Sequence, residues 1–327
     1  MLLRIDHETK LIYTEPVYET VIKVRMAPQS GVDQTALHYR LKTTPAASVT
    51  GYRDGFGNRV DLFNVLVPHR EVAVSATSFV QTHRSDARQR LAGLVWSPDA
   101  EVELEAVEFL RPSQRVGTEP AVREFVDGLP RTTGPLLDVA EALMAAVRGR
   151  LKYEKRVTDA NTPVADALGL GRGVCQDFAH LFLAACRGTG LPARYVSGYV
   201  NHPGEIATHA WCQIWAGRAG WVDVDPTTGR WASDDHVVTA VGRDYADVPP
   251  NRGVWKGTAD ERIEVTVKVQ PVERLPPEAT EPAAAPVWTG GFQQQSQGRG
   301  RAFQQQQARG FRQQQSQQQQ SDRIPRL

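Results

Sequence analysis

Cysteine is scarce in this chain: Cys175, Cys186 and Cys212 are the only three among 327 residues. So few, and an odd number, exclude a disulfide-stapled secreted scaffold and fit a reducing compartment. Cys175 and Cys186 fall in one predicted helix. A rise of 1.5 Å per residue sets them about 16 Å apart, well beyond the roughly 7 Å between Cα atoms that a disulfide spans. No CxxC pair occurs, and His209 and Cys212 lie three apart on a predicted strand, which turns them to opposite faces. The residues therefore offer no zinc site, and no metal or cofactor is expected. Long apolar runs are missing too. No stretch of about twenty apolar residues exists, so no membrane span and no membrane partner are expected. The opening MLLRIDHETKLIY carries charge too early for a secretory signal, and a cytoplasmic setting follows. Net charge is also nearly absent, at +1. From Gly291 onward six arginines and one aspartate give +5, which leaves −4 for the remainder. That remainder has no basic patch for nucleic acid. Only the RG dipeptides of the tail offer a weak electrostatic route to RNA.

What is present is ordinary globular material, 41% hydrophobic and 23% charged, in a chain long enough for two cores. Residues 1–111 read as an all-β, sandwich-like domain: β-rich runs such as TALHYRLKTTP and EVAVSATSFVQTH are cut by Pro, Gly and Asn. The turn DGFGN, Asp54 to Asn58, lacks the ligand spacing of a calcium loop. Residues 112–275 turn helical after Pro112 and read as a second domain. Val122–Val126 and Thr162–Leu168 are short helices, and Pro135–Val147 is an amphipathic one. Val241–Trp255 reads as a loop, and RIEVTVKVQ, Arg262 to Gln270, alternates as the last strand of the second domain's sheet. Residues 276–327 are Pro/Ala-rich and then Gln/Arg/Gly-rich, with fifteen glutamines after Gly291. Such a composition cannot bury a core and reads as disordered.

The chemistry centres on GRGVCQDFAHLFLAACR, Gly171 to Arg187. Phe178, Leu181, Phe182, Ala185 and Cys186 recur at three- and four-residue steps, the spacing of one helical face. Asp177 in the first turn and Arg187 in the last suit the helix dipole, and Gly188 reads as the stop. Cys175 thus sits at a helix N-terminus, where free N–H groups and the positive dipole end favour a thiolate. His180, five residues on, faces elsewhere and reads as a packing residue. Downstream, THAWCQIWAGRAGWVDVDPTTG reads as two strands joined at Ala216–Gly220. His209 opens the first and Asp225 ends the second. A cysteine, a histidine and a carboxylate so placed make a nucleophile, a base and a group that orients the base. Asp223 shares a face with Asp225 and is expected to be a solvated or supporting charge. Trp211, Gln213 and Trp215 share a face with His209, and the two tryptophans are expected as cleft walls. Asp234, Asp235 and His236 read as a polar loop.

GVCQDFAHLF, GLPARYVSGYV, HAWCQIW and GWVDVDPTTG, in that order, resemble the transglutaminase-like superfamily of papain-type thiol enzymes. DGFGNRV and PHREVAVSATSFVQT resemble the N-terminal region that precedes this core in bacterial members. The resemblance covers about residues 1–257. It implies an α+β, papain/transglutaminase-like core, in which the cysteine helix packs on an antiparallel sheet, behind an all-β domain. It also implies Cys175, His209 and Asp225 as the catalytic set, with Asp225 chosen over Asp223 because the motif places that role just before the proline. The substrate implied is a peptide or protein amide, and the intermediate a thioester. An oxyanion hole needs donors. The backbone N–H of Cys175 is one. The glutamine that papain-type proteases place six residues upstream is Gly169 here, and no tryptophan lies between Trp96 and Trp211, so Tyr153 or Gln176 is expected to serve. Hydrolysis by a protease or amidase is the favoured outcome. A protein-glutamine crosslinking enzyme, with the tail glutamines as self-modification targets, and a non-catalytic scaffold are the alternatives. Oligomeric state is not set by the sequence.

Overall fold

The structure is a computed structural model that describes residues 1–129, 133–201 and 208–280. The Gln/Arg/Gly-rich tail, and with it most of the segment read as disordered, lies outside the described residues.

The N-terminal region is built on one long strand, β1 (Leu2–Val24). Buried and half-exposed residues alternate along Leu2–Tyr13, as the period of two requires when one face is covered. β2 (Gln34–Thr44), β3 (Thr50–Arg53), β4 (Arg59–Val65) and β5 (His69–Thr82) complete the expected antiparallel array. The first half of β1 pairs with β5 and its second half with β4. Register slips between Ile12 and Val17 on β5, so the chain crosses from one part of the sheet to the other. Leu11, Val17, Ile22, Phe63, Val72 and Val74 close one core between the two parts, which is the sandwich-like arrangement.

The strands end sooner than the sequence suggests. Within residues 83–111 lie α1 (Ala87–Leu91), capped by the Asp86 carboxylate on the Arg88 N–H at 2.8 Å, a short ladder strand β6 (Val95–Trp96), and α2 (Leu104–Val107). The helical segment continues with α3 (Pro120–Asp127), β7 (Gly134–Pro135) paired to β6, and α4 (Leu136–Arg150). Then β8 (Lys152–Tyr153) precedes α5 (Val164–Leu170) and pairs in parallel with β9 (Arg172–Gly173). Gly171, at φ +64°, turns the chain out of α5, a left-handed position that favours glycine.

Next comes α6 (Cys175–Gly188). Gly188 lies inside this helix rather than ending it. A Cβ there would come within 2.2 Å of Val126 Cγ1, so its lack of a side chain lets α3 pack closely on α6. Thr189 caps the end through its hydroxyl on the Ala185 and Cys186 carbonyls. Leu181, Phe182, Leu183 and Ala185 are fully buried against a five-stranded antiparallel sheet. Its strands are β10 (Ala193–Val200), β11 (Thr208–Trp215), β12 (Trp221–Asp225), β13 (Arg230–Trp231) and β14 (His236–Gly242), in the order β13-β12-β11-β10-β14. The helix-on-sheet core is therefore the expected α+β one. Among the described residues no helix is long and apolar enough to cross a membrane.

Three expectations need correction. Val241–Trp255 is not a loop throughout: Val241 and Gly242 end β14, and β15 (Asn251–Lys256) pairs with the second half of β1. Nor is the alternating segment the last strand of the core sheet. β16 (Glu261–Pro271) pairs with the first half of β1 over eleven residues, Tyr13↔Glu261 to Leu3↔Pro271. The chain thus returns to its own N-terminal sheet, because the free side of β1 offers a long ladder. Finally, Pro277–Thr280, within the segment read as disordered, forms one turn of helix, α7.

Side chains bind the two sheets together. β14 is an edge strand, and edge strands leave N–H and C=O groups unpaired. Two buried amides satisfy them. Gln34 accepts from the Val238 N–H (2.8 Å) and donates to its carbonyl (2.9 Å). Asn58 does the same for Val241 (2.8 Å each). Asn58 is held in turn by the Asp54 carboxylate, which also takes the Phe56 and Asn58 N–H groups and Arg25. The DGFGN turn is thus a clamp between sheets, with Asn58 as its buried member.

Candidate active site

Cys175 is the first residue of α6 and is half-exposed. The turn before it is held by Asp177, whose carboxylate accepts from the Val174 N–H at 2.7 Å and from the Thr158 hydroxyl at 2.6 Å. Gly173 is required there, since a Cβ would meet Asp177 Oδ2 at 2.4 Å. Burial raises the pKa of Asp177 despite these bonds. The cysteine is therefore presented on a fixed turn at the electropositive end of a helix.

His209 lies near the start of β11. Its Nε2 is 3.1 Å from Asp225 Oδ2, which leaves Nδ1 for the sulfur of Cys175. Burial favours the neutral ring, yet hydrogen bonding and charge from Asp225 and Cys175 outweigh it and push the His209 pKa up to about 10. Asp225, at the end of β12, is 1% exposed. Burial alone would raise its pKa; His209 and His236 reverse that and hold the carboxyl well below the usual carboxylate range. The Thr227 N–H (2.9 Å, to Oδ1) and the Thr228 hydroxyl (3.0 Å, to Oδ2) fix its rotamer. Three residues expected as a set thus converge on one point, from a helix start and two adjacent strands.

His236 was not anticipated. It opens β14 rather than lying in a polar loop, and its Nε2 is 3.8 Å from Asp225 Oδ2. The Ser233 N–H donates to its Nδ1 at 3.3 Å, so the neutral ring carries its proton on Nε2, facing the carboxylate. The only signal in the sequence was a histidine beside acidic residues. The donor atoms of His209, Asp225 and His236 lie within 4.8 Å of one another. Asp225 Oδ2 is taken by His209 at 3.1 Å and Thr228 at 3.0 Å, while the buried His236 Nε2 makes no hydrogen bond among the described residues.

Trp211 is wholly buried and forms the back wall of His209. The two rings stack at 6.0 Å between centroids, and the Trp211 Nε1 donates to Asp223 Oδ1 at 2.6 Å. Its place depends on Gly198, where a Cβ would sit 2.5 Å from the indole. Trp215 does not join the site. It lies at the other end of β11, roughly 20 Å along the strand, where its Nε1 donates to Glu103 at 2.6 Å. Asp223 is not solvated. It is 3% exposed and ion-paired to Arg84 at 2.5 Å while accepting from Trp211 and Gln213. Gln176 turns its amide to the Asp159 carbonyl at 3.4 Å. Tyr153, 50% exposed, pairs through its backbone register with Gly173 and packs on Phe178 at 6.4 Å. His180 is fully buried, accepts from the Tyr245 N–H, and has its pKa lowered to about 3 by burial. It belongs to the core, as expected.

Comparison with known proteins agrees with this architecture. Residues 123–226 match the model of the transglutaminase-like superfamily, and residues 3–81 match the bacterial transglutaminase-like N-terminal region. An uncharacterized protein of Mycobacterium leprae is 32% identical over 281 residues, covering 82% of this chain and 98% of its own. One of Mycobacterium tuberculosis is 32% identical over 299 residues, covering 83% and 93%. A protein-glutamine gamma-glutamyltransferase of Pseudomonas aeruginosa is 31% identical over 104 residues, 27% of this chain and 16% of that protein. Among solved structures, a candidate cysteine protease from Cytophaga hutchinsonii superposes with a TM-score of 0.67 at 22% identity, covering 84% of this chain and 93% of that one. The chain belongs to the transglutaminase-like superfamily, a family of cysteine enzymes, with the bacterial N-terminal region in front of its core.

Proposed function

We propose that this chain is a thiol acyl-transfer enzyme that cleaves an amide bond in a peptide or protein, with Cys175, His209 and Asp225 as its catalytic set. The observation that carries this reading is the ring of His209, tied through Nε2 to a buried carboxylate and through its other nitrogen to the helix-start thiol. The Cys175 thiolate attacks the amide carbon. The C–N bond breaks as the His209 imidazolium gives its proton to the departing amine, leaving a thioester. Water then attacks the thioester, its proton passes to His209, and the acid leaves as the sulfur is released.

The tetrahedral oxyanion needs two donors. The Cys175 N–H at the start of α6 is the first. Tyr153 is the better placed of the two expected side chains for the second, because it lies beside Gly173 while the Gln176 amide is turned to Asp159. Tyr153→Phe should lower amide turnover about tenfold to a hundredfold, the scale of one partly exposed donor, and leave the alkylation rate of Cys175 unchanged. Steady-state kinetics beside iodoacetamide labelling separates the two effects; a parallel fall in both would remove Tyr153 from this role.

A second reading has support in the matched segment of the Pseudomonas glutamyltransferase: an amine replaces water as acceptor. The product decides. Peptide libraries incubated with and without a labelled primary amine, with Cys175→Ala as the inactive control, should yield free acids in both cases. Amine incorporation outrunning hydrolysis would transfer the assignment to crosslinking. Turnover retained by Cys175→Ala would end both readings.

A further inference from the structure

A cavity lies on the seam between the loop after β1 and the outer face of the core sheet. It encloses about 280 Å³. Gln213, which lines it, is four residues along β11 from His209, about 13 Å at the rise of a strand, so the cavity is separate from the thiol. Three arginines reach it, and two are already neutralised: Arg84 by Asp223 (2.5 Å) and Arg90 by Asp33 (2.8 Å).

Arg194 differs. Its Nε donates to Gln213 Oε1 at 2.7 Å, and its guanidinium carbon sits over Trp221, 4.2 Å from the ring centroid. Among the described residues it has no ion pair, and Nη1 and Nη2 have no hydrogen-bond partner. Both nitrogens keep some solvent access, and the Arg194 side chain lines the cavity. Burial pulls the pKa of Arg194 down to about 10, and the more distant charges of Asp223 and Glu105 offset this only in part. It remains charged at neutral pH.

We propose that this cavity binds a small organic monocarboxylate, gripped by Nη1 and Nη2 of Arg194. The planar end of a guanidinium matches the two oxygens of a carboxylate. Trp221 fixes the guanidinium plane from below and Gln213 fixes it from the side, so the fork is preorganised. Trp221, Val32 and Val238 supply apolar wall for the body of the ligand. The charges in the lining select a monoanion. Three arginines against Asp33 and Asp223 leave a single positive charge, and the two carboxylates oppose a doubly charged phosphate. A hydrogen-bonded path runs from this fork through Gln213 and Asp223 to Trp211, the wall of His209, so the ligand would rest against the scaffold of the thiol site without entering it.

Titration calorimetry on the full chain tests this, with benzoate as probe and benzamide as its uncharged isostere. Benzoate should bind saturably, and benzamide at least about tenfold more weakly, the loss expected when a charged bidentate contact becomes a neutral one. Arg194→Lys keeps a charge but removes the fork, and should weaken benzoate by about tenfold. Val32→Glu adds a like charge at the rim, where Val32 is 79% exposed. It should weaken benzoate severalfold with no change in unfolding temperature, so the test stands even if the buried Arg194 variant folds poorly. Inorganic phosphate should fail to displace benzoate. Equal binding of benzoate and benzamide, indifference to both substitutions, displacement by phosphate at matched concentration, or no saturable binding would each overturn the proposal.

Discussion

His209→Ala is expected to lower amide turnover ten-thousandfold or more, the scale seen when one member of a unit that acts together is removed. The same variant should change how Cys175 labels with iodoacetamide. In the wild-type protein the ring stays protonated up to about pH 10, so an imidazolium faces the sulfur throughout the neutral range. Labelling should therefore persist well below pH 7. Without the ring the sulfur loses its cationic partner and keeps only the helix terminus. Ordinary free thiols ionise near 8.5, so labelling of the variant at pH 6 should fall by about a hundredfold and recover toward pH 9. Rate against pH, with the site mapped by mass spectrometry, checks both limbs. Superimposable profiles for the two proteins would mean that the ring does not act on the sulfur, and the proposed mechanism would fall with it. Circular dichroism of the variant guards against a folding defect. The ring is largely buried, with its side chain 7% exposed, so the folded variant keeps the buried Trp211 and Asp225 around a small void.

The proposed catalytic trio is legible in the sequence because each member sits at an element end that local signals mark. The apolar repeat of α6 begins at Cys175. The run of β11 begins just before His209, and Pro226 closes β12 behind Asp225. What local pattern does not carry is a partner far along the chain. RIEVTVKVQ alternates as a strand must, but alternation does not say which ladder it joins, and β16 returns to β1 across some 250 residues. The assignment of this strand to the second domain's sheet fails for that reason. Pro249, Pro250 and Gly253 read as loop, yet Asn251–Lys256 pairs as β15 because the second half of β1 had an open side. Whether Asp223 is solvated or supporting stayed open in the sequence because Arg84, 139 residues earlier, is invisible to any window around it. Periodicity correctly put Trp211 and Trp215 on the face of His209. It could not say that six residues of strand carry Trp215 away from the site. His236 was hidden for a related reason: β14 enters the site from the opposite edge of the sheet, beside β10.

Asp225→Asn is expected to cost a thousandfold to ten-thousandfold in turnover, as in other triads when the base-orienting carboxylate becomes an amide. The reason lies in the donors around it. The Thr227 N–H, the Thr228 hydroxyl and His209 Nε2 are hydrogen-bonded to the carboxylate, and the His236 Nε2 proton points at it from 3.8 Å. A carboxylate accepts from all of them. An amide has one oxygen and one NH2 group, so either rotamer faces a donor with a donor. If the oxygen stays with Thr227, the NH2 meets His209 and drives the ring proton to Nδ1, the nitrogen that must receive the thiol proton. If the amide flips, the NH2 meets the Thr227 N–H. The pH dependence of stability supplies an independent reading. His209 has a folded pKa above its ordinary 6.5, so its contribution is fully present below 6.5 and is lost as pH rises through about 10. Asp225 has a depressed folded pKa, so its contribution is present above the usual carboxylate range, about 4, and is lost as pH falls toward its lower folded value. The gap in melting temperature between wild type and Asp225→Asn should therefore be widest between about pH 4 and 6.5 and should narrow toward pH 10. Asp223→Asn makes the contrasting control. It breaks the buried Arg84 pair and should lower the melting temperature, while leaving the labelling profile of Cys175 in place. A gap for Asp225→Asn that stays constant from pH 5 to pH 10 would show that the His209–Asp225 contact adds nothing beyond shape.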